Sequence, residues 1–246
     1  MGFPRTHDYP VCLERREISM FLLAAAMDFI FFHEFSHIFN GHVGKDLALG
    51  RLYRREITQE DDSSQDLEES QSCEYDADMF AIDMALNYCL NDDRIDNFLE
   101  IQSTGNLAGI PKILLRAYLG IYAISCVWHV IQPYDPIEDF GDKDRSHPPI
   151  SVRKYSTNEQ AINFLSFHNL GPPEELGKVF SSIPHEIDLL ICYISGDPKP
   201  SSFPIPTNEI IEYKNWLDSQ RNLHRPAWEK YAKGKLKILP IERKPT

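Results

Sequence analysis

Residues Phe31 to His42 read FFHEFSHIFNGH, with two histidines four positions apart and a glutamate beside the first. On an α-helix, positions i and i+4 project from one face a single turn apart, so His33 and His37 can aim two imidazole nitrogens at one point. That is the start of a tetrahedral metal site. Glu34, flanking the pair, can reach a water held by such a metal. In that chemistry the ion brings the water's pKa to about 7, and the glutamate takes the proton as the oxygen attacks a carbonyl. The competing explanation is a histidine pair closing a helix C-terminus, where partial positive charge is favoured.

A catalytic zinc takes three protein ligands and keeps one position open, and two histidines with a glutamate are a common set. The stretch SCEYDADMFAIDMALNYCL, Ser72 to Leu90, offers the third ligand. Ala77, Phe80, Ala81, Met84, Ala85 and Tyr88 follow helical apolar spacing. Glu74 and Asp78 lie one turn apart along an edge of that stripe. Glu74 can bind the metal while Asp78 accepts the N–H of a ligating imidazole and so fixes its tautomer. The competing explanation is that Glu74, Asp76 and Asp78 sit in the first turns because the helix dipole favours acids there. Cys73 is a conceivable soft ligand but reads better as a small buried hydrophobe. His42 reads as a helix-end histidine.

The paired segments HEFSHIFNGH and EYDADMFA resemble the gluzincin metallopeptidases, which carry HExxH on one helix and ExxxD on the next. The nearest resemblance is to the HtpX-like and Ste24p-like peptidases and the phage-exclusion Lit-type peptidases. RSHPPISVR, Arg145 to Arg153, resembles a downstream segment of those families that lies beside the metal. The resemblance spans roughly Leu22 to Tyr155. It implies a zinc ion on His33, His37 and Glu74, Glu34 as general base and Asp78 as the supporting acid. It further implies His147 or Arg153 as a stabiliser of the transition state. The chain reaches His33 without the strands that precede the catalytic helix in those families, and at best one segment resembles their membrane helices. That favours the Lit-like branch.

The elements that must carry these residues read as helices. From Glu14 to Asn40 the chain is rich in Ala, Leu and Met and free of proline. That favours one long helix, apolar enough to be buried all round. Gly41 is placed to end it with a positive φ, and Asp28 inside the apolar run needs a partner or a function. TQEDDSSQDLEES, Thr58 to Ser70, carries six acids and no base and reads as a solvated loop. A short helix is expected around Asp92 to Gln102. Ile113 to Ile131 is long enough to span a bilayer, yet it contains Arg116 and His129 and reads as a core helix. QPYDPIEDFGDKDRSHPPIS reads as a loop. Three or four amphipathic helices follow, broken by LGPPEEL and SGDPKPSSFPIPTNE.

The fold expected is mainly α, with zincin-like catalytic helices and few or no strands. A metallopeptidase core over residues 1–155 is followed by a C-terminal helical extension over 156–246. A net charge of −12 argues against a nucleic-acid surface, which needs clustered basic charge to neutralise phosphates. The five cysteines are scattered with no CxxC pair, which suggests reduced thiols. The N-terminal stretch has no secretory signal pattern. The expectation is a cytoplasmic zinc endopeptidase acting on a protein or peptide, with attachment to an inner membrane the less favoured setting. The rival is a non-catalytic interaction protein whose zinc only joins two helices.

Overall fold

A computed structural model describes residues 12–48, 64–96, 99, 110–131, 140, 147–183, 186–187, 189–190 and 207–232. Every regular element among them is a helix, so the fold is mainly α. In chain order these are α1 (Leu13–Phe39), α2 (His42–Ala48), α3 (Ser64–Asn91), α4 (Lys112–Ile131), α5 (Ile150–Phe167), α6 (Pro173–Phe180) and α7 (Asn208–Trp228).

α3 is the axis of the molecule, packing against α1, α4, α5 and α7. Tyr75, Ala77, Ala81, Ile82, Ala85, Leu86 and Leu90 are buried along its length. α4 lies so close to it that a side chain on Gly120 would meet the Cys89 thiol at 2.9 Å. One apolar cluster runs from Phe29 of α1 through α3, α4 and α5 to Ile210, Tyr213 and Leu217 of α7. Trp128 ties three of these helices together. Its ring meets Phe29 edge-on at 5.1 Å, and its Nε1 donates to Thr157 Oγ1 at 2.9 Å. The divide expected after residue 155 falls within α5, and α7 buries its apolar face against residues of the first portion.

Three expectations need correction. α1 is not buried all round: it buries Phe21, Ala25, Phe29 and Ser36 while Met20, Leu23, Met27, Ile30, Phe31 and Ile38 stay exposed. The long described helices packed on it are α3 and α4, which cover one side only. The part of the acidic stretch from Ser64 onward is not a loop but the start of α3. There Glu69 is buried against Lys45 and accepts Trp228 Nε1 at 3.1 Å, so a local cation and an indole N–H compensate its charge. Glu74, Asp76 and Asp78 consequently lie about three turns inside α3 rather than at its N-terminus, too far for the dipole to account for them.

α4 and α1 are both long and apolar enough to cross a membrane, with mean hydropathy 1.5 and 1.6. α4 is mostly buried, packed on α3 as a core helix is. Of the short helix expected around Asp92 to Gln102, residues 92–96 and 99 are described, with only Asp96 and Leu99 helical among them, and the loop preceding α5 falls largely outside the described residues.

Burial is not free for every acid on α3. Asp83 Oδ1 accepts Gln160 Nε2 at 2.7 Å. Burial nevertheless pushes its carboxyl up to about 6, against the lowering effects of that bond and of Arg221. A carboxyl raised in the fold stabilises it below the unfolded value near 4, and that contribution is lost as pH rises through about 6. Above pH 7 the ionised group costs roughly 2–3 kcal/mol. Asp83→Asn should therefore raise urea stability at pH 8 by about 1–2 kcal/mol and leave it little changed at pH 4. No gain at pH 8 would contradict the burial argument.

Candidate metal centre

α1 and α3 cross where their polar positions meet. His33 Nε2 lies 3.4 Å from His37 Nε2 and 3.4 Å from Glu74 Oε2, while His37 Nε2 lies 3.4 Å from Glu74 Oε1. These three residues form a group of donors able to hold one metal ion. Bonds of 2.0–2.1 Å to a tetrahedral ion separate its ligands by about 3.3–3.4 Å. The two imidazole nitrogens have that separation, and each lies 3.4 Å from a different oxygen of the Glu74 carboxylate, which spans the third corner.

The other ring nitrogens explain why both imidazoles face inward. His33 Nδ1 lies 2.9 Å from Asp78 Oδ1. Asp78 is almost wholly buried and is gripped by two parallel bonds of 2.7 Å from Arg153 Nε and Nη2. Burial would raise its carboxyl, but Arg153 and His33 outweigh that and hold it below the usual range. An ionised Asp78 accepts Nδ1–H from His33 and leaves the Nε2 lone pair for the triangle. On the other side, His37 Nδ1 lies 3.1 Å from His42 Nδ1, and His42 Nε2 lies 3.3 Å from Asp76 Oδ2.

Three acceptors this close repel one another unless positive charge sits among them. His37 supplies none, since burial lowers its pKa to about 4 and keeps it neutral. Burial also opposes charge on His33, but hydrogen bonds to Asp78 and Glu74 raise it to about 9. Burial would raise Glu74, yet His33 and Arg153 hold it down at about 2, so it is an anion. A proton or a metal cation therefore belongs between His33 and Glu74. The donor set fits zinc: two imidazole nitrogens and one carboxylate.

Glu34 is exposed on α1 between the two histidines. His147 sits at the rim, half exposed, with Nε2 3.7 Å from Glu74 Oε2. Arg153 spends its guanidinium on Asp78 and lies 4.4 Å over the Trp128 ring, with Nη2 3.7 Å from Glu74 Oε2. All seven residues singled out in the sequence are thus brought to one region, Arg153 from beneath rather than from the open side. Cys73 does not belong to the donor group, and burial pushes its thiol far up. Asp28 lies elsewhere, lining a recess of about 310 Å³ with Tyr88, Asp92 and Arg94. Burial and the charge of Asp92 both raise its carboxyl.

Sequence reasoning missed the outer support of His37. Asp76 accepts Asn40 Nδ2 at 2.7 Å and Arg221 Nε from α7. Burial would raise the Asp76 carboxyl, but His42 and Arg221 hold it well below the usual range. The His42 ring meets Trp228 edge-on at 4.5 Å. Gly41, with φ of +90°, makes this possible: a side chain there would strike the Trp228 carbonyl at 2.1 Å.

Residues 4–164, more than half of the chain, match the family model described as peptidase U49. The chain belongs to the peptidase U49 family. No curated protein and no solved structure matches it. Membership makes it a protease by class, a hydrolase with protein as its general substrate. The U49 match contains α1, α3 and nearly all of α5, hence all seven residues above, and stops short of α6 and α7.

Proposed function

We propose that this U49 peptidase is a zinc-dependent endopeptidase. The observation that carries the reading is the convergence of His33 Nε2, His37 Nε2 and the Glu74 carboxylate within 3.4 Å of one another. His33, His37 and Glu74 would hold the ion, and Asp78 orients His33. When bound, zinc supplies a positive charge that acidifies a water and polarises a substrate carbonyl.

The remaining work falls to side chains of this chain. Glu34 takes the proton of the attacking water as the new C–O bond forms. It then delivers that proton to the amine as the C–N bond breaks. His147, exposed at the rim, offers an N–H to the carbonyl oxygen as negative charge develops there. Arg153 acts through Asp78, keeping it charged and fixed beneath His33. The four described cysteines are free, which supports a reducing, cytoplasmic setting.

The test is to incubate the purified chain with a cytosolic extract and compare newly formed protein N-termini with and without a zinc chelator. Cleavages should appear with the chain, vanish with chelator and return on adding zinc. Cleavages indifferent to chelation would mean that another mechanism cuts the bond.

A further inference from the structure

α7 lies outside the residues matched to the family, yet it reaches the candidate metal centre through a continuous chain of polar contacts. The proton positions along that chain follow from its one anion. Asp76 can only accept, and its two oxygens face Arg221 Nε, Asn40 Nδ2 and His42 Nε2. His42 Nε2 lies 3.3 Å from Asp76 Oδ2, outside hydrogen-bond geometry, but a buried anion that near favours the ring proton on Nε2 and a lone pair at Nδ1. The Nδ1 of His37, 3.1 Å away, must then be the donor. That leaves His37 Nε2 with a lone pair aimed at Glu74 and His33. A ring free to rotate, or protonated at Nε2 instead, has no lone pair there to give.

Arg221 anchors the series. Asp76 is almost wholly buried, and Arg221 is the one charged side chain of α7 on it. Trp228, one of the largest fully buried side chains, packs on the His42 ring and stops it from turning. Without Arg221, Oδ1 of the buried Asp76 loses its donor, and the orientation of the carboxylate toward His42 would be lost.

We propose that α7 completes the metal site, with Arg221 a positioning residue that fixes His37 for zinc through Asp76 and His42. The proposal rests on the zinc reading above. Loss of such outer partners typically weakens metal affinity about 10- to 100-fold.

Zinc dissociation constants of the full chain, measured by competition with a fluorescent chelator, test it. His37→Ala should abolish binding, which checks the site itself. Arg221→Ala should weaken zinc about 10- to 100-fold, and Arg221→Lys should recover part of the loss. Asp76→Asn should weaken it similarly, because an amide offers one acceptor oxygen where three donors converge. Tyr213→Phe is the control: it removes another bond from α7 to α3, to Gln71 Oε1, which is neither a donor of the site nor one of the Asp76 and His42 contacts above. It should lower the melting temperature while leaving zinc affinity within about twofold. Nitrogen NMR of the metal-free protein should show His37 protonated at Nδ1, and that signature should be lost in Asp76→Asn. If Arg221→Ala fails to fold, Asp76→Asn decides. Wild-type affinity in Arg221→Ala or Asp76→Asn, with none in His37→Ala, overturns the proposal and leaves the zinc site standing. A wild type that binds no zinc overturns both.

Discussion

Glu34→Gln should bind zinc like the wild type and cleave almost nothing. Glu34 is exposed beside the triangle but supplies none of its three donor atoms. The amide keeps the shape and loses the ability to accept a proton. Removing a general base is worth roughly 10²–10⁴-fold in rate. Zinc content by mass spectrometry, run beside the appearance of new N-termini in extract, separates the two effects. A variant that keeps its zinc and still cleaves within about tenfold of wild type would remove Glu34 from the mechanism.

Arg153→Met should be the most destabilising single change in the centre. Asp78 is about 1 % exposed, and both of its oxygens are taken by the Arg153 guanidinium. Removing one partner leaves an uncompensated buried charge, which typically costs about 3–5 kcal/mol. Methionine keeps much of the volume over Trp128, so the loss reports charge more than packing. The double variant Arg153→Met with Asp78→Asn should lose less than Arg153→Met alone, since the stranded carboxylate is gone. Urea unfolding of the metal-free proteins measures both. A loss below about 1 kcal/mol for Arg153→Met would mean that Asp78 is not held by this pair.

Local rules exposed the inner half of the site in the sequence. His33 and His37 are an i, i+4 pair, as are Glu74 and Asp78, so helical periodicity alone puts each pair on one face. His147 and Arg153 came only through the resemblance of RSHPPISVR, because nothing in their spacing says what they approach. The outer half had no such rule. Arg221 and Asp76 are 145 positions apart and meet only because α7 docks on α3. One local hint existed: a helix-end His42 directly after a turn glycine. A histidine in that place needs a partner, and only packing reveals Asp76 and Trp228.

The choice of central helix shows a similar limit. α1 is more apolar than α3, so composition favours α1 for the interior. The fold buries α3 instead, with Gln71, Ser72, Asp76, Asp78 and Asn87 inside. Asp76 and Asp78 have cations from other elements, so the buried charge at this point of α3 belongs to the site it carries. The N-terminal extension of α3 into the acidic stretch went unseen for the same reason: Lys45 and Trp228 reach Glu69 from distant parts of the chain.

Zinc reading and scaffold reading part company at the coordination sphere. Anomalous scattering at the zinc absorption edge from a zinc-loaded crystal locates the ion directly. The peptidase reading predicts a single strong peak about 2.0–2.2 Å from His33 Nε2, His37 Nε2 and a Glu74 oxygen. No other protein ligand should reach it, and its fourth position should open toward Glu34 and His147. A peak elsewhere, or one closed by a fourth protein ligand such as Cys73, would contradict it.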